Sequence, residues 1–219
     1  MFRPFKRTLT PAAVPDTSIA PLTSQNYDID HFASNVTGAS FTLTTTATTD
    51  GLAHKVSVRN DSATDHSAKT LTFTGTDDNG QAISETINLP GSSLTVQTTL
   101  FFKTLETPVV PSATIGADTM DIGIVAEFAS KAFPSGTYYG NLNIGTEITG
   151  VANYGIDHTF SNVQVEASTA WNWINDANDN IAGSTTIDFG TTRPKAIRFR
   201  TNTYNTGAVI NLIIQQSYN

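Results

Sequence analysis

The sequence predicts an all-β chain, and three observations predict it. Threonine, β-branched and polar, makes up about a sixth of the 219 residues and suits the solvent face of a strand better than a helix interior. Short segments of alternating polar and apolar residues recur, separated by Gly, Pro, Asn and Asp. One hairpin is spelled out locally: Asp77-Asp78-Asn79-Gly80 joins two alternating runs, and Asn-Gly supplies the positive φ angles of a tight turn. The expected architecture is an antiparallel β-sandwich of jelly-roll type, built as two packed β-domains with an extended N-terminal arm. The expected divisions are residues 1–30 for the arm, 31–130 for the first domain and 131–219 for the second.

In the arm, Pro4, Pro11, Pro15 and Pro21 block helix and interrupt strand pairing. Phe2, Phe5, Leu9, Ile19, Leu22 and Tyr27 are apolar anchors for a groove on another subunit or on the arm's own domain; a loose tail is the third possibility. Strands are then expected at Ser40–Thr44, at His54–Arg59 with Val56 and Val58 inward, and at Lys69–Thr76 and Gln81–Leu89. Pro90-Gly91 ends the hairpin. Ser93–Thr99, Phe101–Leu105 (apolar enough for burial on both faces) and Met120–Val125 complete the first set. Ala126–Ser135 reads as a helical turn or linker. The second set comprises Tyr138-Tyr139, Leu142–Ile144, Ile156–Phe160, Val163–Val165, and a terminal hairpin of Lys195–Thr201 with Ala208–Gln215. In the first arm of that hairpin, Ile197 and Phe199 face one side and Arg198 and Arg200 the other.

The absence of Cys excludes disulfides, thiolate metal sites and thiol nucleophiles. No apolar run reaches the length of a membrane-spanning helix, and Met1–Arg7 is not followed by the apolar block of a secretory signal, so no membrane association is expected. Net charge is −7 and unevenly placed: residues 8–192 hold all nineteen acids and five basic residues, a net of −14. An acidic body repels nucleic acid, which argues against a DNA or RNA partner. The other basic residues are Arg3, Lys6 and Arg7 at one end and Arg193, Lys195, Arg198 and Arg200 near the other. With Phe2 and Phe5 they are the candidate interface residues, docking on acidic patches of neighbouring subunits or pairing with acids of their own chain.

His31, His54, His66 and His158 are far apart and lack metal-ligand spacing, and His54 and His158 read as surface imidazoles on strands. There is no GxSxG elbow and no phosphate-cradling glycine loop. The carboxylates sit mostly in turns, the ordinary use of Asp. No catalytic residue, cofactor or metal is assigned. Two oxygen-rich loops, Asp77–Asn79 and Asn175–Asn180, have the donors calcium needs but not the spacing of an EF-hand. Trp171 and Trp173 share a face on a strand, as core packing or as a platform for stacking on a sugar ring.

The stretch Leu71-Thr72-Phe73-Thr74-Gly75-Thr76-Asp77-Asp78-Asn79-Gly80-Gln81-Ala82-Ile83-Ser84-Glu85-Thr86-Ile87 resembles a "TGTD-x-x-G-x-x-x-x-E" hairpin found in virion structural proteins of tailed bacteriophages. In that family a "FK-T-[VIL]" strand and a "V-x-[IV]-G" strand follow; here Phe102-Lys103-Thr104-Leu105 and Met120-Asp121-Ile122-Gly123 stand in those places. The end is also similar, with Arg193-Pro194-Lys195-Ala196-Ile197-Arg198 and Leu212-Ile213-Ile214-Gln215 matching a "P-x-A-[IL]-R" strand and a closing "[IL]-x-[IV]-[IL]-Q" strand. The likeness spans roughly residues 50–125 and 156–216 and implies a particle component without catalysis. The function expected from it is capsid decoration (a cement protein) across subunits of the major capsid protein, as a homo-oligomer with a trimer favoured, assembled in the host cytoplasm and located in the virion. A tail or neck component and a receptor- or carbohydrate-binding module are the alternatives.

Overall fold

The computed structural model describes residues 5–7, 28–134, 142–163, 171–175, 181–183, 185–188, 194–204 and 209–216. Within them every element is a strand and no helix occurs, so the all-β expectation holds. In chain order the strands are β1 (Phe5–Arg7), β2 (Asp28–Val36), β3 (Ala53–Asn60), β4 (Thr70–Thr76), β5 (Ala82–Asn88), β6 (Thr95–Phe102), β7 (Thr104–Leu105) and β8 (Met120–Ala129). Then follow β9 (Phe133–Pro134), β10 (Leu142–Thr149), β11 (Ala152–Thr159), β12 (Ile174–Asn175), β13 (Ile181–Ala182), β14 (Thr185–Asp188), β15 (Ala196–Tyr204) and β16 (Val209–Gln216). The chain forms two compact units, residues 25–129 and residues 1–24 with 130–219. Of the expected arm up to Tyr27 only Phe5–Arg7 is described, as a strand of the unit made by the second half of the chain.

The unit of residues 25–129 is a sandwich. One antiparallel sheet runs β2-β8-β3-β6 and the other β5-β4-β7. Alternation puts Val56 and Val58 of β3, Ile122 and Ile124 of β8, and Leu71 and Phe73 of β4 into one shared core, all essentially inaccessible to water. Phe73 and Phe102 meet across it with ring centroids 6.3 Å apart. Burial of this apolar set, with Phe32, Phe41, Leu89 and Met120, is the main force holding the sheets together.

The hairpin forms at the residues read, but of Asn79 and Gly80 only the glycine takes a positive φ. β4 and β5 pair from Thr70↔Asn88 to Thr76↔Ala82 without a register shift. Asp77 Oδ1 accepts the N–H groups of Asn79 at 2.8 Å and Gln81 at 2.9 Å, and Gly80 takes the required positive φ of 75°. Outward hydroxyls bond across the strands, Thr72 to Thr86 at 2.8 Å.

β6 carries a bulge opposite Val56, between the pairs Ser57↔Gln97 and Lys55↔Phe101. On the inner side Thr98 Oγ1 accepts Val56 N–H at 2.9 Å and donates to the Leu100 carbonyl. On the outer side the Glu85 carboxylate, reaching over from β5, accepts Thr99 N–H, Leu100 N–H and the Thr99 hydroxyl, each at 2.8–2.9 Å. Glu85 therefore joins the two sheets by filling the donors that the bulge leaves open. Glu85→Ala should lower unfolding stability by about 1–2 kcal/mol, and Glu85→Gln by less, because one amide oxygen still accepts. Urea unfolding of the full chain measures this.

Four expectations are corrected. Ser40–Thr44 is no strand: Phe41 makes a single bridge with Val109, while Thr44 and Thr45 N–H both go to the Phe32 carbonyl and Leu43 N–H to Thr107 Oγ1. Phe41 and Leu43 are buried, so alternation there reported burial without a ladder. Ala126–Ala129 is neither helical turn nor linker but the end of β8, pairing Ala53↔Ala129 and His54↔Phe128, with Lys55 and Glu127 ion-paired across the strands. Phe101–Leu105 is two strands, since Lys103 carries the chain from β6 in one sheet to β7 in the other.

The fourth correction concerns the terminal hairpin. β15 pairs with β11 and β9, whereas β16 pairs with β10 and β1, in a separate sheet ordered β1-β16-β10-β14. β10 and β11 are likewise consecutive and likewise divided, turning at Gly150 with φ 94°. Each corner exchanges its partner with the other. What favours this over two local hairpins is what it buries: Tyr154 of β11 stacks on Phe199 of β15 at 4.9 Å, and its hydroxyl bonds Thr146 of β10 and the Gly183 carbonyl at 3.2 Å. Burial pushes the Tyr154 phenol up, so it keeps the proton it donates. The expected strands at Tyr138-Tyr139 and Gln164-Val165 lie outside the described residues; Val163 sits in a turn.

Candidate interface and the polar clusters

The basic residues near the chain end split in two. Strand alternation places Arg198 and Arg200 on one face of β15, and β11 brings Asp157 opposite through the pair Asp157↔Arg198. Arg198 Nε donates to Asp157 Oδ2 at 2.8 Å and Arg200 Nε to Oδ1 at 3.4 Å. Asp157 is fully buried, so this is a buried ion triad and not a surface decoration. Of the two uses foreseen for these arginines, the structure displays the one inside the chain. Lys195 is exposed and gives its backbone N–H to Thr159. Phe2, Arg3 and Arg193 lie outside the described residues. Phe5, Lys6 and Arg7 form β1, on the outer edge of β16.

Trp171 is 9% exposed and packs with Ala132 and Ala196, with Val163 and Trp173 against the cluster. The two indoles meet edge to face at 6.1 Å, and the Arg198 guanidinium lies over the Trp173 ring at 4.5 Å. Protein already occupies the faces a sugar would need on Trp171. Through Trp173 the pair adjoins Arg198 of the Asp157 triad, a connection that spacing alone does not reveal.

His54 is corrected from surface to core. It is 1% exposed, with Nδ1 2.9 Å from the Val125 carbonyl and Nε2 2.7 Å from Asp50 Oδ2. β3 has both faces covered here, which a single strand pattern does not reveal. His66 is also buried: Nε2 meets Asp118 Oδ2 at 3.0 Å, and Lys69 Nζ donates to Nδ1 at 2.9 Å and to the Thr114 carbonyl at 2.7 Å. That network pins the loop before β4 to the loop before β8. His31 contacts Asp28 and the Ala47 carbonyl. These three imidazoles thus link segments that are distant in the chain.

The oxygen-rich turn Asp77–Asn79 uses its carboxylates within the fold, Asp77 on its own turn and Asp78 on Lys103 Nζ at 2.8 Å. Of the second loop, residues 176–180 lie outside the described residues. Among the described residues no group of three or more potential ligands is placed to hold a metal.

Asp121 lies beside Asp61. Asp121 is 6% exposed and accepts Asn35 N–H at 2.8 Å, while Asp61 is ion-paired to Arg59. Burial, and the neighbouring Asp61 carboxyl, raise Asp121 above the usual carboxylate range despite the Asn35 N–H and Arg59. A raised acid binds its proton more tightly folded than unfolded. Its contribution to stability is complete below the unfolded value and is lost as pH rises through the folded one. Asp121→Asn, which keeps an oxygen for Asn35, should raise the urea midpoint at pH 7 and converge with the parent at acid pH. Equal midpoints at both pH values would count against it.

Six residues of the resembling motifs have folding duties: Gly75 and Gly123 where backbones touch, Asp77 and Gly80 in the turn, Glu85 on the bulge, Lys103 on Asp78. Comparison with protein-family models, curated proteins and solved structures found no match.

Proposed function

We propose that this chain is a non-enzymatic structural protein of a tailed-bacteriophage particle, most simply a capsid decoration protein bound across subunits of the major capsid protein. One observation carries the reading. The stretches that resemble the phage family coincide with strands that frame the unit of residues 25–129, β4–turn–β5, then Lys103 and β7, then β8, in the order the resemblance implies. Motif residues that build a frame explain the likeness without any shared chemistry.

The polar clusters support the same reading. His54–Asp50, His66–Asp118–Lys69 and Asp157–Arg198–Arg200 are buried or half-buried and link strands or loops, as a protein needs when it must be rigid without disulfides. A body that presents hydroxyls on its strands gains further stability when assembly binds only its folded state.

The test is an electron-microscopy map of the intact particle with the chain's copy number. Hundreds of copies on the shell are expected. Six or twelve would move the protein to the tail or neck, and absence from purified particles would end the proposal.

A further inference from the structure

We propose that Phe5–Arg7 is an exchangeable strand, laid on β16 of a second copy of this chain when the protein assembles. The inference rests on the reading of the protein as an assembling component and names the contact by which copies join.

β1 is three residues long and pairs Phe5↔Gln216, Lys6↔Gln215 and Arg7↔Ile214. β16 is eight residues long and pairs along its whole length with β10 on its other side. Among the described residues, Val209–Ile213 has no strand partner on the side where β1 sits. A strand edge carrying unpaired N–H and C=O groups is a template for another chain. It is here the edge of a strand rich in Val, Ile and Leu.

The connection makes exchange cheap. Twenty residues, 8–27, separate β1 from β2 and include Pro11, Pro15 and Pro21. Such a segment reaches at most about 70 Å, against a diameter of roughly 35 Å for a unit of some hundred residues. The backbone ladder is identical whether β16 belongs to the same chain or to a neighbour, so exchange preserves every β1–β16 bond and adds the binding of one copy to the next.

The chain has no Cys, so engineered thiols report without background. Lys6→Cys and Gln215→Cys are made as two separate proteins, mixed, refolded together at high concentration and oxidised. Exchange predicts a disulfide between positions 6 and 215 of different copies, at least tenfold above that from Lys6→Cys mixed with Leu94→Cys, an exposed position in the other unit. A yield equal to that control, with the double variant closing only within its own chain, overturns the inference. Sedimentation gives a second reading free of engineered thiols: removal of residues 1–7 should reduce the oligomer to single copies, and an unchanged mass also overturns it. Either failure leaves the copy number on the particle, and hence the proposed function, untouched.

Discussion

Gly123→Ala should destabilise the chain by at least ~3 kcal/mol, enough to leave a large fraction unfolded at moderate temperature. The reason is space and not backbone freedom. A Cβ at Gly123, in the middle of β8, would stand 2.1 Å from the Asp28 carbonyl oxygen and 2.3 Å from the Ile29 carbonyl carbon. Both are backbone atoms of β2, so no side chain can swing aside. β2 pairs with β8 only at Asp28↔Ile124, Ala33↔Ile122 and Val36↔Met120, with irregularities between them, and the backbone of Asp28 and Ile29 crosses directly over the glycine. Relief requires β2 to lift off, uncovering Phe32 and Ala33 from the core. Gly75→Ala should behave alike, since its Cβ would lie 1.8 Å from the Thr104 carbonyl oxygen at the β4–β7 contact. Gly80→Ala is the contrast: the position is open, but its φ of 75° disfavours a side chain, at a cost of about 1 kcal/mol. Thermal and urea unfolding of the three variants tests the ranking. Equal effects at positions 80 and 123 would refute the steric account.

These glycines mark the limit of what a linear pattern reveals. The β4–β5 hairpin could be read almost to the residue because everything that fixes it lies within twenty positions: alternation, Asp77, and Gly80 at a positive φ. Glu85 was visible as a motif letter, but its partners are the N–H groups of a bulge fourteen and fifteen residues away, and a bulge has no signature in composition. The alternation at Ser40–Thr44 was real and its inference failed, because Phe41 and Leu43 are buried by a segment whose hydrogen bonds go elsewhere. The exchanged corners of β10–β11 and β15–β16 were illegible for a further reason. Short connections usually mean local hairpins, and only the packing of Tyr154 on Phe199 shows why these strands part. His54 was misplaced because one strand's pattern does not tell that both its faces are covered.

Asp157→Ala carries the second large effect, an expected loss of about 3–5 kcal/mol. It would remove the partner shared by two guanidinium groups that are largely withdrawn from water, Arg198 with 20% and Arg200 with 12% of the side chain exposed. Two like charges, two residues apart on one face of β15, would then lose the carboxylate they share. Asp157→Asn keeps the shape and one acceptor oxygen, and should fall between the parent and the alanine variant. Replacing a buried ion group with apolar residues of similar volume is often neutral, so Asp157→Leu combined with Arg198→Met and Arg200→Met should recover much of the stability. Trp173 sets a limit on that recovery, since methionine replaces the cation over its ring with a weaker contact. The same series bears on assembly. If the two arginines serve only their own chain, the triple variant refolds and still joins the particle. If they also reach a neighbouring subunit, it refolds and is left behind. Unfolding curves read beside particle incorporation therefore separate a side chain that holds the fold from one that holds the assembly.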